Sequence, residues 1–225
     1  MNSALVTDIE TVPLAASMLS PYPKDDRKPP ANYAKPEAIN GWHDRDEADW
    51  RKGLSKACAL DPKRGRILCI GTSEGMHYAT TEAEERQTLL DFWAATVMHD
   101  GKVVTWNGRG FDLRFILIRS LVQNVAPTLA PAIIRSWFKR YVYDYHMDCK
   151  MALTDWSTNY VTGEGLDEWS TALGLPGKTD GITGADVYPM YLAGRHQEIA
   201  DYCMADVAAT REIYNRIAPY FLDRA

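Results

Sequence analysis

The chain has no apolar run approaching the roughly 18 residues that a membrane span requires, which removes a membrane-embedded role from consideration. Cysteine is scarce. The four present, Cys58, Cys69, Cys149 and Cys203, form no CxxC pair, so neither a disulfide framework nor a thiolate zinc site is expected and reduced thiols are. The N-terminal segment lacks the uninterrupted apolar stretch of an export signal, because Asp8 and Glu10 break it; the expected location is cytoplasmic. Internal repeats and low-complexity tracts are missing too. So is an excess of basic residues, the usual mark of a nucleic-acid partner: formal net charge is −5. This last absence excludes less than it suggests. Lys24 to Arg66 is net positive and the remainder net negative, and acids gathered round cations depress the total without repelling a polyanion.

What is present suits one globular domain with a full core: 225 residues, 46% hydrophobic and 24% charged. "SALVTDIETV" reads as a first strand stopped by Pro13, and alternation puts Asp8 and Glu10 on one face of it. From about 14 to 63 the pattern breaks into proline clusters, tryptophan and mixed charge, an insertion expected to be partly helical. "RILCIGTSEGMHYAT" predicts two strands around a turn at Ser73, Glu74 and Gly75. Thr81 and Glu84 have capping-box spacing and should open a helix. "KVVTW" is a buried strand, "NGRG" a turn and "FDLRFILIRSLV" an apolar helix; short helices then lead to a last one over about 197–217. The alternation of strands and helices defines an α/β fold.

Four acids stand out against this pattern. In the last helix Ile199, Cys203, Asp206, Thr210, Ile213 and Ile217 trace one face, and Asp206 lies where an apolar residue is expected. Tyr202 is one turn earlier on the same side. Asp112 opens the helix after the "KVVTW" strand, near the strand ends where α/β sheets gather function. Four carboxylates converging without basic partners would repel one another, and hard divalent cations with a preference for oxygen resolve that conflict. Two such ions about 4 Å apart form machinery for phosphoryl displacement.

At these residues a family resemblance enters. "DIE" (Asp8, Glu10), "NGRGFD" (Asn107 to Asp112) and "YCMAD" (Tyr202 to Asp206) resemble, in order, the three motifs of the DEDDy exonuclease superfamily. Among its members the chain looks closest to free-standing predicted exonucleases related to the proofreading domain of family B DNA polymerases. The resemblance implies a ribonuclease-H-like fold with a central mixed β-sheet flanked by helices, and a single exonuclease domain over 1–225. It also implies metal-dependent 3′–5′ removal of nucleoside 5′-monophosphates from single-stranded or frayed ends, DNA preferred. Asp8, Glu10, Asp112 and Asp206 would be ligands of two Mg²⁺ or Mn²⁺ ions, and Tyr202 would position the attacking water. Thr11, Asn107 and Phe111 correspond to substrate contacts. With no polymerase on the chain, a separate DNA polymerase or replication protein would be the partner in proofreading. The rival readings are a 3′–5′ exoribonuclease and a non-catalytic nucleic-acid-binding or polymerase-docking module on the same fold.

Other features carry less. "ALGLPGKT" (Ala172 to Thr179) fits a loose phosphate-loop pattern but follows a helix rather than a strand. His43 and Cys58 lack paired zinc-ligand spacing. His196 reads as a surface or cap residue and Asp148 as structural. Lys24, Arg27, Lys28 and Lys35, interleaved with Tyr22 and Tyr33, have the composition of a single-strand contact in the insertion, or of an ordinary solvated loop.

Overall fold

Alternation along the first strand sorts its side chains between two helical layers. The computed structural model describes residues 4–154, 165–175 and 181–222 and puts this strand, β1 (Leu5–Pro13), at the centre of a five-stranded sheet. On one side lie β2 (Gly65–Thr72) and β3 (Gly75–Tyr78), on the other β4 (Val103–Thr105) and β5 (His146–Asp148), in the order β3-β2-β1-β4-β5. β2 and β3 run antiparallel to their neighbours, as the predicted hairpin requires, whereas β4 and β5 run parallel to β1 and β4. The sheet is therefore mixed, as expected. Parallel neighbours need crossovers, and helices supply them: α2 (Glu85–Met98) leads into β4, and α3 (Asp112–Val122) and α4 (Pro131–Ser136) lead into β5. Beyond β5 come α5 (Cys149–Leu153), α6 (Leu166–Ala172), α7 (Val187–Leu192) and the long α8 (His196–Phe221). Among the described residues no helix is long and apolar enough to cross a membrane.

Leu5 and Ile9 pack against Leu89, Phe92 and Trp93 of α2 and Leu113 and Ile116 of α3. Val6 packs on the opposite face with Val104, Met147, Val207 and Ile213, and Val12 joins Tyr202 and Cys203. Asp8 and Glu10 share the parity of Val6, so they face α8. The stripe expected on α8 is buried as predicted, Asp206 included, although the helix is longer than the periodicity suggested and carries Pro219 in its last turn.

A buried ion pair fastens the opposite layer. Glu85 Oε2 accepts Arg119 Nη2 at 2.6 Å and Glu85 Oε1 accepts Nε at 2.8 Å. The same carboxylate takes the Ile67 N–H at 2.8 Å and Gln123 Nε2 at 2.7 Å. α2 begins at Glu85, later than the Thr81–Glu84 spacing implied: Glu84 accepts the Thr81 N–H at 3.1 Å and the Thr80 hydroxyl at 2.6 Å, closing a turn that precedes the helix.

The segment after β1 forms two short 3₁₀ turns, Ala15–Leu19 and Lys24–Asp26, and then α1 (Pro36–Ala59). Its basic and aromatic residues are partly consumed internally. Asp46 of α1 pairs with Arg27 and accepts the Tyr22 hydroxyl at 2.5 Å, and the Arg27 guanidinium lies over the Tyr22 ring. The four cysteines are free and buried.

Candidate active site

Strand parity aims Asp8 and Glu10 at α8, and a glycine lets α8 come close. Gly71 of β2 sits opposite Asp8 in the register. A Cβ built there would stand 2.9 Å from Cys203 Sγ and 3.0 Å from Val207 Cγ2, closer than side chains tolerate. With that face of β2 bare, Cys203 Sγ approaches the Asp8 Oδ2 atom at 3.5 Å. Asp206, three residues on, joins the strand acids: one carboxylate oxygen from each of Asp8, Glu10 and Asp206 lies within 4.8 Å of the others. Asp8 is partly exposed, while Glu10 and Asp206 are buried.

The fourth acid arrives by a different route. β4 pairs with β1 only at Leu5 and Val6. Farther along that edge the Ile9 N–H donates to Asp112 Oδ1 at 3.1 Å, so the first residue of α3 takes over where the short strand stops. The loop between β4 and α3 is held from beneath. Asp148, at the end of β5, accepts the backbone N–H groups of Asn107 at 3.1 Å and Arg109 at 3.0 Å and also caps α5 through Met151 at 3.2 Å. The Trp137 carbonyl can only accept, so His146 Nδ1 donates to it at 2.7 Å. His146 Nε2 then accepts the Thr105 hydroxyl at 2.8 Å, and Thr105 Oγ1 accepts the Gly108 N–H at 3.0 Å. Burial lowers the His146 pKa, in keeping with this neutral ring. A Cβ on Gly108 would overlap the Thr105 side chain, and Asn107 takes a left-handed φ of 64°.

The electrostatics register the crowding. Burial, then the negative charges of Asp112, Glu10 and Asp206, hold the Asp8 carboxyl well above the ordinary carboxylate range. Asp112 is pushed from 3.8 to about 7, chiefly by burial; its own N–H and that of Ile9 oppose the shift, and Asp148 and Asp206 add to it. Burial and neighbouring carboxylates thus work against full ionisation of the cluster, and its donor set suits hard cations: carboxylate oxygens close together, with no imidazole in the group.

The remaining expected site residues fall nearby with differing roles. Tyr202 is buried one turn before Asp206, packed among Val12, Met190 and Cys203. The Thr11 hydroxyl donates to Ala59 O at 2.8 Å, which ties β1 to the end of α1. Asn107 lies in the loop held by Asp148. Phe111 packs against the α2–α3 core with its ring 5.5 Å from that of Phe115. Glu10, Thr11 and Phe111 all line a cleft of about 670 Å³ whose other wall includes α1 and residues 183–189. Asp148 keeps the structural role expected of it, by holding the loop that delivers Asp112. The contributions of Gly71 and α1 were not foreseen, since a lone glycine in a strand and an irregular insertion carry no chemical signature. Ala172 of "ALGLPGKT" ends α6, Leu173 to Leu175 leave the helix, and 176–179 lie outside the described residues. His196 begins α8 with Nδ1 3.0 Å from the Tyr78 hydroxyl.

A mixed sheet with helices on both faces, its central strand carrying an acid pair and a third and fourth acid arriving from α3 and α8, gives the chain a ribonuclease-H-like fold. A family model described as predicted 3′–5′ exonucleases related to the exonuclease domain of PolB matches residues 58–221. The chain belongs to this family. The match contains Asp112, Tyr202 and Asp206 and begins after Asp8 and Glu10, which the fold itself carries into the cluster. Among solved structures the chain resembles the family B DNA polymerase from the hyperthermophilic archaeon Pyrobaculum calidifontis, with a TM-score of 0.60 at 17% identity. That likeness is one of fold; it covers 96% of this chain and 24% of the polymerase chain. A comparison with curated proteins finds no match.

Proposed function

We propose that the protein is a metal-dependent 3′–5′ exonuclease, acting as one domain with its insertion, that releases nucleoside 5′-monophosphates from single-stranded or frayed DNA ends. The meeting of Asp8, Glu10 and Asp206 within 4.8 Å, with Asp112 bonded to the strand between the first two, is the observation that carries this reading. Asp8, Glu10 and Asp206 would hold one divalent cation and Asp8 would share a second, with Mg²⁺ or Mn²⁺ suited to the all-oxygen donors. When bound, such a pair supplies an activated water and neutralises charge on the leaving oxygen.

The chain's own residues do the positioning. β1 and α8 hold their carboxylates on rigid elements, so little reorganisation is needed as substrate arrives. Asp112 keeps a proton to about pH 7 in the metal-free chain and gives it up as positive charge enters, which makes cation uptake proton-linked. Tyr202 would orient the attacking water through its hydroxyl. In proofreading, this domain would act together with a DNA polymerase. The test is digestion of 5′-labelled DNA and RNA oligomers in Mg²⁺ or Mn²⁺ by wild type and Asp8→Ala. A ladder shortening from the 3′ end of DNA, absent with the variant, is the expected result. Equal ladders from both proteins, or none from wild type, would count against the reading, and faster loss of RNA would move the substrate to RNA.

A further inference from the structure

The cleft beside the acids has a wall that the family match does not include. Residues 58–221 carry the nuclease motifs, whereas nearly all of α1 precedes them. This helix is anchored at its end by the bond from Thr11 Oγ1 to Ala59 O, immediately next to Glu10. From that anchor it runs along a cleft of about 670 Å³ that opens at Glu10, a size that encloses a molecule as large as a nucleotide. Lys52 and Lys56 line the cleft. They are four residues apart, so they lie on one face of α1 with Cβ atoms about 5–6 Å from each other. Both are exposed; neither forms a close ion pair among the described residues, although Asp186, whose carboxyl pKa is lowered chiefly by hydrogen bonds from Thr183, is lowered further by the charge of Lys52. One acid on the same helix, Asp49, lies at this wall. Phe111 and Tyr188 line the cleft as well, each half-buried, with Phe111 beside Phe115 and Tyr188 stacked on Tyr191.

We infer that α1 is a strand clamp: Lys52 and Lys56 neutralise backbone phosphates of a single strand whose 3′ end lies at Glu10, while Phe111 and Tyr188 supply stacking surfaces. The inference rests on the exonuclease reading and adds to it the element that holds the strand. Basic side chains beside aromatic ones are how single-stranded nucleic acid is gripped without regard to sequence, and here Lys52 and Lys56 stand at the wall across from Glu10 with Asp49 beside them on α1. The two lysines on a helix have the place in the cleft that the insertion's loop residues lack. Tyr22 and Arg27 are committed to Asp46, and Lys24 and Lys28 do not line the cleft.

The experiment is equilibrium binding of 5′-fluorescein oligo(dT) to the full chain in EDTA, by anisotropy across a salt series, with digestion in Mg²⁺ run in parallel. Each phosphate contact to a single strand contributes about 0.7 to the slope of log affinity against log salt. Lys52→Gln/Lys56→Gln should therefore bind more weakly and lower that slope by about 1.4. Lys52→Arg/Lys56→Arg should restore the slope, and Lys24→Gln/Lys28→Gln should leave it at the wild-type value. A structural fault in α1 would not be rescued by arginine while leaving the salt slope as its signature. An unchanged slope in the Lys52/Lys56 glutamine variant, or an equal drop in the Lys24/Lys28 control, overturns the clamp. If that happens while wild type still degrades DNA in an Asp8-dependent manner, the clamp alone fails. If wild type neither binds nor degrades the strand, the exonuclease reading fails with it.

Discussion

Asp112 Oδ1 accepts the backbone N–H of Ile9 at 3.1 Å across 103 positions of sequence, so one carboxyl both closes the edge of β1 and stands in the acid cluster. These two duties pull on its ionisation in opposite directions. The Ile9 N–H favours the anion, and burial with neighbouring acids favours the proton and prevails, at about 7.

That balance fixes a pH dependence. The unfolded chain releases the Asp112 proton near 3.8 and the folded chain near 7, so between these values the native state binds more protons. The stabilisation is fully present below the lower value and is lost as pH rises through the upper one. Asp8, also raised, acts in the same direction. Urea denaturation in EDTA should show stability falling between pH 5 and pH 7.5 by a few kcal/mol at most. Asp112→Asn should make the profile shallower and leave the share of Asp8, because its amide oxygen still accepts from Ile9 without a titrating charge. Adding Mg²⁺ should reverse the loss at pH 7.5 in wild type, since a ligand that binds only the folded state stabilises it.

Gly71 should be intolerant of enlargement. A Cβ at 2.9 Å from Cys203 Sγ and 3.0 Å from Val207 Cγ2 forces those side chains, and with them α8, to shift. Gly71→Ala is expected to destabilise by about 1–3 kcal/mol, the usual effect of overpacking. It should also weaken Mn²⁺ binding, since Asp206 rides on the displaced helix. Calorimetric titration of the folded variant checks the second effect separately from the first.

The Glu85–Arg119 pair predicts the opposite separation. Both side chains are almost fully buried, at 0% and 2% exposure. Arg119→Met would leave the Glu85 charge without its main partner and should destabilise by about 3–5 kcal/mol. Since the pair lies in the layer of α2 and α3, away from α8, nuclease activity per folded molecule should fall by less than twofold at 20 °C. Denaturation curves and active-fraction assays measure the two quantities.

Asp148 should affect activity through Asp112. Asp148→Ala strips acceptors from the N–H groups of Asn107, Arg109 and Met151, and the loop that starts α3 loses its support. Stability should drop by about 1–3 kcal/mol, with kcat falling at least tenfold. Asp148→Asn, which retains one carbonyl acceptor, should recover part of both.

Much of the acid cluster was legible because clustered acids break physical patterns. Asp206 interrupts an apolar stripe on α8, and Asp8 and Glu10 interrupt an apolar strand; periodicity alone makes each visible. Asp112 was less distinct, since acids are ordinary in a first helical turn, and its place after the "KVVTW" strand together with the order of motifs singled it out. The sheet followed from strand patterns and the hairpin turn, while the start of α2 was misplaced because Thr80 and Thr81 bind Glu84 before the helix begins. What could not be read depends on distant parts of the chain meeting. Gly71 gains its meaning from Cys203, and Thr11 spends its hydroxyl on Ala59. The basic loop residues that resembled a strand contact prove to be partly bound to Asp46, and the lysines beside the acids lie instead on α1.

Anomalous diffraction from crystals soaked in Mn²⁺ with a nucleoside 5′-monophosphate addresses the acid cluster most directly. Two peaks about 4 Å apart, touching Asp8 and bounded by Glu10 and Asp206, are the predicted outcome, with both lost in Asp8→Ala crystals. Crystals with no manganese at these carboxylates, or with peaks that persist unchanged in the variant, would contradict it.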